Sequence, residues 1–380
     1  MDGSKILLLS CVIVFVDAAG YGIVVPTVPL HASELGISPF QLGLVFAAYP
    51  ITHLVVSVPL GVLCDRHGRK LTVLLGMLAL ATSSLSFALA GDFIQLFMSR
   101  AVQGTAAAAT WVAALALLAD VTPPMKRGER MGWVTAAMGV GAIAGPPLGG
   151  GLADMFGYSF PFYVWSTLAL SLALTIFWGI EEPPHVGGAR FSLREMCSAL
   201  RNRNVVMCCL VAGLVWLGFG FFEPLMPGYV ASRFDVGGGT VGGMFGVAAL
   251  FMAFSRPVFG IVSDRVGRKK VIVGGMFFYA ISVQSILFAD SITTMTLAFA
   301  LIGLALGIPL SAALPLITES LPLAGTASAL FLTAYSVGHV VGPIMGGSLV
   351  GYVGMAALIY FYAFMMLGGG MASSILIKEN

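Results

Sequence analysis

Two residues of opposite charge interrupt long apolar stretches of the chain. Asp17 stands within Phe15–Gly20, and Arg100 lies about eight residues after Asp92. If these stretches cross a membrane, each charge near the bilayer centre costs about 2.5–3.5 kcal/mol on insertion scales, so each needs a reason. At ~1.5 Å per residue, both residues fall near the middle of the membrane, where the carboxylate of Asp17 is a candidate site for a proton.

Two further titratable residues lie in apolar stretches. Glu223 directly precedes Pro224, and His339 lies near the end of the chain. Glu223 is a candidate second protonation site or gate residue, with an outer-surface residue beside a helix break as the alternative. His339 is a candidate proton relay, although a histidine alone in a span is often a hydrogen-bonded packing residue.

The composition of the 380 residues places most of the chain in lipid. Hydrophobic residues make up 58% and charged residues 9%, against about 45–50% and about 25% in soluble domains. This excludes a soluble enzyme, a disordered protein and a nucleic-acid binder. The sequence has neither a G-x-x-x-x-G-K-[ST] loop nor Cys/His clusters with metal-ligand spacing. We therefore expect an integral membrane protein that is not an enzyme, with no cofactor and no metal.

Twelve apolar runs are long enough to cross a bilayer, which takes about 20 residues per helix. They are continuously apolar, whereas strands of membrane barrels alternate. The sequence thus predicts an all-α membrane protein with twelve transmembrane helices in two pseudo-symmetric six-helix bundles. The predicted spans are 6–30, 40–63, 71–90, 93–119, 131–153, 159–180, 205–230, 240–262, 270–289, 292–317, 325–350 and 354–377.

The positive charges set the predicted orientation. Sixteen of the 19 Lys and Arg residues fall on one face of this topology, and the positive-inside rule makes that face cytoplasmic. Both termini then lie in the cytoplasm, and short loops suit a bacterial inner (plasma) membrane. The longest connection, 181–204, is a predicted cytoplasmic linker between bundles 1–180 and 205–380, and 191–202 is a candidate amphipathic surface helix.

The two halves of the chain repeat each other. The segment Gly61–Lys70 reappears as Gly260–Lys269, with six of ten positions identical at an offset of 199. The glycines and proline of Gly141–Gly150 reappear in Gly338–Gly347 at an offset of 197, and a Pro-x-x-Pro pair recurs at 198. Parallel repeats of this kind place a cavity near the membrane midplane at their interface, which suits alternating access.

These motifs resemble those of the major facilitator superfamily of secondary transporters, and the resemblance covers the whole chain. The repeated G-x-x-x-D-R-x-G-R-K looks like its signature loop. Arg100–Gly104 resembles its R-x-x-Q-G motif, which adds Gln103 to the candidate cavity residues. Gly141–Gly150 resembles the fifth-span motif of its antiporters, and Pro26–Pro29 is similar to the twelve-span drug:proton antiporter branch. The resemblance implies that spans 1, 4, 7 and 10 surround the cavity.

From this placement we predict that Asp17 and Arg100 pair in the cavity. A proton that binds Asp17, or a cationic substrate that displaces Arg100, would break the pair. A static ion pair that only fixes the bundle is the alternative.

The signature loop is a predicted conformational switch. Gly61 would let the second span approach a neighbour closely, and Gly68 would support a turn with positive φ. Asp65 would face a helix N-terminus or pair with an arginine. The resemblance implies a latch between the bundles in the outward-facing state, and a basic turn that only sets topology is the alternative. The switch residues of the two copies are Gly61, Asp65, Arg66, Gly68, Arg69, Lys70, Asp264, Arg265 and Arg268.

The fifth span carries a second candidate switch. Gly141, Gly145 and Gly149 recur every four residues and share one helix face. Pro146 and Pro147 each remove a backbone hydrogen bond, which predicts a kink. We predict that this face packs on the facing bundle and takes part in the switch, with ordinary small-residue packing as the alternative.

The leading hypothesis is a proton-coupled antiporter that exports small, partly hydrophobic molecules, as in drug or metabolite efflux. The alternative is a proton symporter or uniporter that imports a nutrient or organic anion, with Arg100 as the anion anchor. A non-transporting receptor or scaffold on the same fold is the third hypothesis. The expected partners are membrane lipid, protons and a small-molecule substrate, with no nucleic acid, and we expect a monomer.

Overall fold

The computed structural model describes residues 3–179, 199–321 and 324–378. Twelve α-helices lie within these ranges, numbered here in chain order, and a short 3₁₀ helix, Pro124–Lys126, precedes the fifth. The all-α membrane fold is as predicted. The helices are α1 Gly3–Glu34, α2 Pro39–His67, α3 Arg69–Ala88, α4 Phe93–Val121, α5 Arg127–Phe156, α6 Ser159–Gly179, α7 Arg203–Phe222, α8 Met226–Phe234, α9 Gly238–Val266, α10 Arg268–Phe288, α11 Ile292–Ser320 and α12 Ala324–Leu376.

Two helix boundaries differ from the simple picture of one helix per span. The seventh predicted span, 205–230, is divided into α7 and α8 around Pro224, whose missing N–H cannot continue the helical hydrogen bonds. The last two predicted spans are joined in α12, which is interrupted at Gly354, where φ is 77°. Eleven helices of the described chain are therefore long and apolar enough to cross a membrane. The candidate surface helix 191–202 lies mostly outside the described residues.

The chain forms two compact units. The first unit comprises Met1–Ala189 and Pro227–Gly246, and the second comprises Arg190–Met226 and Val247–Asn380. In the first unit α1 packs on α5, and α4 packs on both α2 and α3. In the second unit α7 packs on α12, and α10 packs on α11. The predicted bundle boundaries at 180 and 205 stay a prediction.

The repeated loop has the same backbone in both copies. Gly68 separates α2 from α3 with φ 100°, and Gly267 separates α9 from α10 with φ 104°. Side chains other than glycine rarely adopt this conformation. The predicted positive φ at Gly68 is therefore confirmed, and the turn fixes the arginine that follows it at the first position of the next helix.

Candidate functional site

Arg100 is fully buried on α4, inside the first unit. Its guanidinium carbon lies over three aromatic rings, 4.5 Å from the centroid of Tyr21, 4.9 Å from Phe46 and 4.8 Å from Tyr49. Its Nη1 donates to Oε1 of Gln103 at 2.6 Å. Aromatic faces and an amide oxygen both stabilise a buried cation.

Gln103 links this cation to the first helix. Its Oε1 accepts from Arg100, and its Nε2 donates to the carbonyl oxygen of Gly20 on α1 at 3.2 Å. Because the two residues are one helical turn apart on α4, the R-x-x-Q spacing brings both side chains to the face that meets α1. The spacing therefore builds a polar connection across the α1–α4 interface.

Asp17 lies on the same interface but not beside Arg100. Its Oδ2 accepts a hydrogen bond from Nε1 of Trp111 on α4 at 3.1 Å, and among the described residues it makes no ion pair. The predicted direct pair is therefore wrong, because the register of the antiparallel helices α1 and α4 does not bring the two side chains together. The register that sets Asp17 beside Trp111 sets Arg100 beside Tyr21. Eleven residues separate Trp111 from Arg100, about 16 Å along α4 at ~1.5 Å per residue.

Glu223 and His339 meet inside the second unit. Nε2 of His339 lies 3.3 Å from Oε2 of Glu223, and both side chains are buried. The imidazole is bordered by the rings of Trp216, Phe219 and Tyr335, with centroids 5.6–5.7 Å away. Glu223 directly follows the last residue of α7, so the helix break at Pro224 positions its carboxylate. The two residues predicted separately thus form one acid–base pair.

The first copy of the signature loop is an ion-pair network centred on Arg69. This side chain is 4% exposed at the start of α3. Its Nη1 donates to Oδ1 of Asp65 at 2.6 Å and to the carbonyl oxygen of Cys64 at 2.8 Å, and its Nε donates to Oδ2 of Asp120 at 2.9 Å. Asp65 therefore pairs with an arginine, the second of its two predicted partners, and Asp120 joins the end of α4 to the loop.

The second copy repeats this network in a more exposed form. Arg268 pairs with Asp264 at 2.5 Å and with Glu319 at 2.9 Å. Here the arginine is 18% exposed and Glu319 is 54% exposed, against 18% for Asp120 in the first copy. Salt and water screen such a pair more strongly, so the two copies share geometry and differ in strength.

The remaining switch residues lie at the surface of the same loops. Arg66 and Arg265 are exposed, and Nζ of Lys70 lies 5.8 Å from the ring centroid of Phe177. Among the described residues, nothing lies within 4 Å of a Cβ placed at Gly61. The expected close approach at Gly61 is therefore wrong in this structure, because the helix borders open space there.

The glycine face of α5 packs on α1, within the same unit. A Cβ at Gly141 would lie 2.6 Å from a carbonyl oxygen of α1, one at Gly145 2.5 Å from another, and one at Gly149 2.7 Å from a Cα. The prediction that the glycine face meets the facing bundle is wrong, because Gly141, Gly145 and Gly149 all pack against α1. Glycines of α12, including Gly338 and Gly342, meet backbone atoms of α7 in the same way.

Another face of α5 meets the first turns of α9, which belong to the first unit of the structure but to the predicted bundle 205–380. The fifth span therefore does contact that predicted bundle, through this face and not through the glycine face. A Cβ at Gly150 would collide with the backbone of Gly238, and one at Gly242 would collide with the carbonyl of Pro146. Asp154 accepts hydrogen bonds at 2.8 Å from the N–H groups of the first two residues of α9. The carboxylate thus caps this helix, as anionic side chains favour helix N-termini.

The profile of the Major Facilitator Superfamily matches residues 10–227 and again 208–380. The chain belongs to this superfamily. It is 26% identical over 376 residues to an uncharacterised transporter of Methanocaldococcus jannaschii, with 96% of each chain covered. It is also 25% identical over 377 residues to the quinolone resistance protein NorA of Staphylococcus aureus, covering 96% of this chain and 93% of NorA.

Solved superfamily structures share the fold of this transporter. A bacterial homologue of the human lysosomal transporter Spinster, inward-facing and unoccupied, matches with a TM-score of 0.79 at 15% identity, covering 98% of this chain and 94% of the homologue. The nucleoside transporter NupG matches with a TM-score of 0.82 at 13% identity, covering 98% and 100%. At these identities the likeness concerns the fold alone.

The site of this superfamily member includes residues that sequence reasoning missed. Trp111 holds the buried carboxylate, and Asp120 and Glu319 complete the two arginine networks. A signal was available for the acids, because Asp120 and Glu319 stand 199 residues apart, the offset of the loop repeat. None was available for Trp111, whose role depends on helix register.

Proposed function

We propose that this protein is a proton-coupled antiporter that exports small, partly hydrophobic molecules by alternating access. The proposal places it in a bacterial inner membrane with both termini in the cytoplasm. Superfamily membership and the similarity to NorA, a quinolone resistance protein, support export of drug-like compounds. The fifth-span glycine–proline motif supports exchange, as the resemblance to antiporters implies.

The observation that carries proton coupling is the environment of Asp17. Its side chain is 4% exposed within a span and accepts from Trp111, and no cation pairs with it in the described chain. An ionised carboxylate out of water and without a cation is costly, whereas the protonated form costs much less. Binding a proton is therefore the direct way to keep this residue in the membrane, and a cationic or solvating substrate would compete with that proton.

Glu223 and His339 supply a second proton-binding pair in this scheme. A proton shared between a buried carboxylate and an imidazole 3.3 Å apart can reside on either partner. Three surrounding rings limit access of water to the pair. We assign Asp17 the exchange step and the Glu223–His339 pair a coupled protonation that differs between the two access states.

The signature loops and the α5 glycines complete the proposal as the conformational switch. Arg69 joins its loop to Asp120 at the end of α4, and Arg268 joins its loop to Glu319 at the end of α11. These ion pairs support a loop that moves together with its helices. A latch that forms and breaks during alternating access requires such stiffness.

Transport into proteoliposomes in which the cytoplasmic face of the protein points outward tests the proposal, with norfloxacin as the probe. With an acidic lumen, the wild-type protein should accumulate the drug, and an Asp17→Asn variant should lose gradient-driven accumulation at least tenfold while still catalysing drug exchange. Asn still accepts the Trp111 hydrogen bond but cannot take the proton. An Asp290→Asn variant, which removes an exposed carboxylate before α11, is the matched control. Unchanged accumulation by Asp17→Asn would remove Asp17 from the mechanism.

The import alternative has one observation in its favour, the buried cation of Arg100. A guanidinium over three rings could receive an aromatic or carboxylate-bearing anion. The same vesicles separate the two functions, because a symporter would move its substrate in the direction of the proton flow. Drug loss from the acidic lumen together with protons would favour import.

A further inference from the structure

A groove with a volume of about 450 Å³ lies in the second unit between α9, α10 and α11. Phe259 and Val266 of α9, Phe278 of α10 and Ile308 of α11 contribute to its walls. Of the described residues that line it, Lys270 carries a charge and the others are apolar or glycine. A volume of this size is typical of small-ligand sites, and its lining suits a chain of hydrocarbon.

Lys270 lies at one end of this groove. It follows Arg268, the first residue of α10, and its side chain is exposed. Lys270, Gly274 and Phe278 recur every four residues along one face of α10. The face therefore runs about 12 Å from the charge into the apolar part of the helix at ~1.5 Å per residue. A charge followed by an apolar track matches an amphiphile whose head has the opposite sign.

The internal repeat shows that two residues lining the groove differ between the two units. At the loop offset of 199, Leu71 and Leu75 of α3 stand where α10 has Lys270 and Gly274. Both leucines are exposed on the first unit. The first unit thus presents two apolar side chains at the positions where the second presents a cation and a gap.

Gly274 leaves space that the described protein does not use. A Cβ built there would meet nothing within 4 Å, whereas one at the neighbouring Gly275 would lie 2.7 Å from Cγ2 of Ile308. Helix packing therefore explains Gly275 but not Gly274. The gap is available to a molecule from outside the chain, and basic pockets between helices on the cytoplasmic side suit anionic lipid head groups.

We propose that this groove binds an anionic phospholipid of the cytoplasmic leaflet. One acyl chain lies along α10 past Gly274 against Phe278 and Ile308, and the phosphate contacts Lys270. The site is separate from the proposed transport chemistry, so measurements of lipid binding test it independently of transport. A zwitterionic phospholipid would fill the same apolar track but would leave Lys270 with a weaker partner.

Native mass spectrometry of the full chain in detergent tests the site, with phosphatidylglycerol and phosphatidylcholine of equal chain length as probes. The wild-type protein should retain phosphatidylglycerol about fivefold more tightly, the ratio that one lysine near an anionic head group provides. Lys270→Leu, which installs the residue of the first repeat, should erase this preference. Lys126→Leu, the same change at another exposed lysine, should leave it intact.

The groove itself is tested by filling it. Gly274→Leu should reduce retention of both lipids at least fivefold, and Gly274→Ala should reduce it less, with unchanged helical content by circular dichroism showing that both variants fold. Equal retention of the two lipids by the wild-type protein would overturn the role of Lys270. Undiminished retention by folded Gly274→Leu would overturn the groove as the binding place.

Discussion

The two copies of the arginine network should differ in what they contribute to stability. Asp120→Asn and Glu319→Gln make the same chemical change at equivalent positions, each removing the charge that faces a loop arginine. Arg69 is 4% exposed and Asp120 18%, whereas Arg268 is 18% exposed and Glu319 54%. Removing one partner of a buried pair costs about 3–5 kcal/mol, and an exposed pair contributes about 0–1 kcal/mol.

The expected loss for Asp120→Asn is smaller than the buried limit, because Arg69 keeps Asp65 as a second partner at 2.6 Å. We therefore expect a loss of about 2 kcal/mol in the free energy of unfolding for Asp120→Asn, and under about 1 kcal/mol for Glu319→Gln. Equilibrium unfolding in mixed micelles, followed by circular dichroism, measures both values on the same scale. Added salt should reduce the Glu319 effect more than the Asp120 effect.

A double-mutant cycle isolates the pair from other effects of the substitution. Arg69→Gln combined with Asp120→Asn should be less destabilised than the sum of the two single variants, because each single change leaves an opposite charge behind. Equal losses at Asp120 and Glu319, or strict additivity in the cycle, would refute the reasoning that burial sets the strength of this network.

Three further outcomes follow from local geometry. Gly145→Ala places a Cβ 2.5 Å from a carbonyl oxygen of α1 and should cost about 1–3 kcal/mol in the same unfolding assay, whereas Gly151→Ala meets open space and should be neutral or stabilising. Tyr158→Phe should stabilise the protein by about 1 kcal/mol at neutral pH, because the buried hydroxyl has no hydrogen-bond partner among the described residues. Burial also raises the pKa of Tyr158, so the wild-type protein should lose stability above about pH 10 relative to this variant. Asp154→Asn removes a charged acceptor at the start of α9 and should cost about 0.5–1 kcal/mol, measured as a lower unfolding midpoint.

The order of the helices and the position of most of them could be read from the sequence, because hydrophobicity and length largely determine which segments enter lipid. The division of the seventh span and the joining of the last two could not. The turn at Gly68 could be read as well, since a positive φ between two helices is a local requirement. The break between α7 and α8 was partly visible in Glu223-Pro224, but the run of apolar residues around it concealed that the helix stops.

Partners across helices could not be read, because they depend on register. Counting residues from each end of a span put Asp17 and Arg100 at similar depth. In the structure, however, the register of α1 against α4 gives Asp17 the partner Trp111, eleven residues from Arg100. The same limit applies to the α5 glycines. Their spacing showed that one face lies close to a neighbour, but nothing local to Gly145 identifies that neighbour as α1.

The backbone contact between α1 and α5 has a mechanical consequence. The part of α1 that Gly141 and Gly145 touch, from Phe15 to Gly22, contains Asp17. No layer of side chains lies at these contacts to change rotamer and absorb a displacement. Under the proposed proton coupling, a movement of α1 after the gain or loss of a proton would carry α5 along, so that the two helices move together.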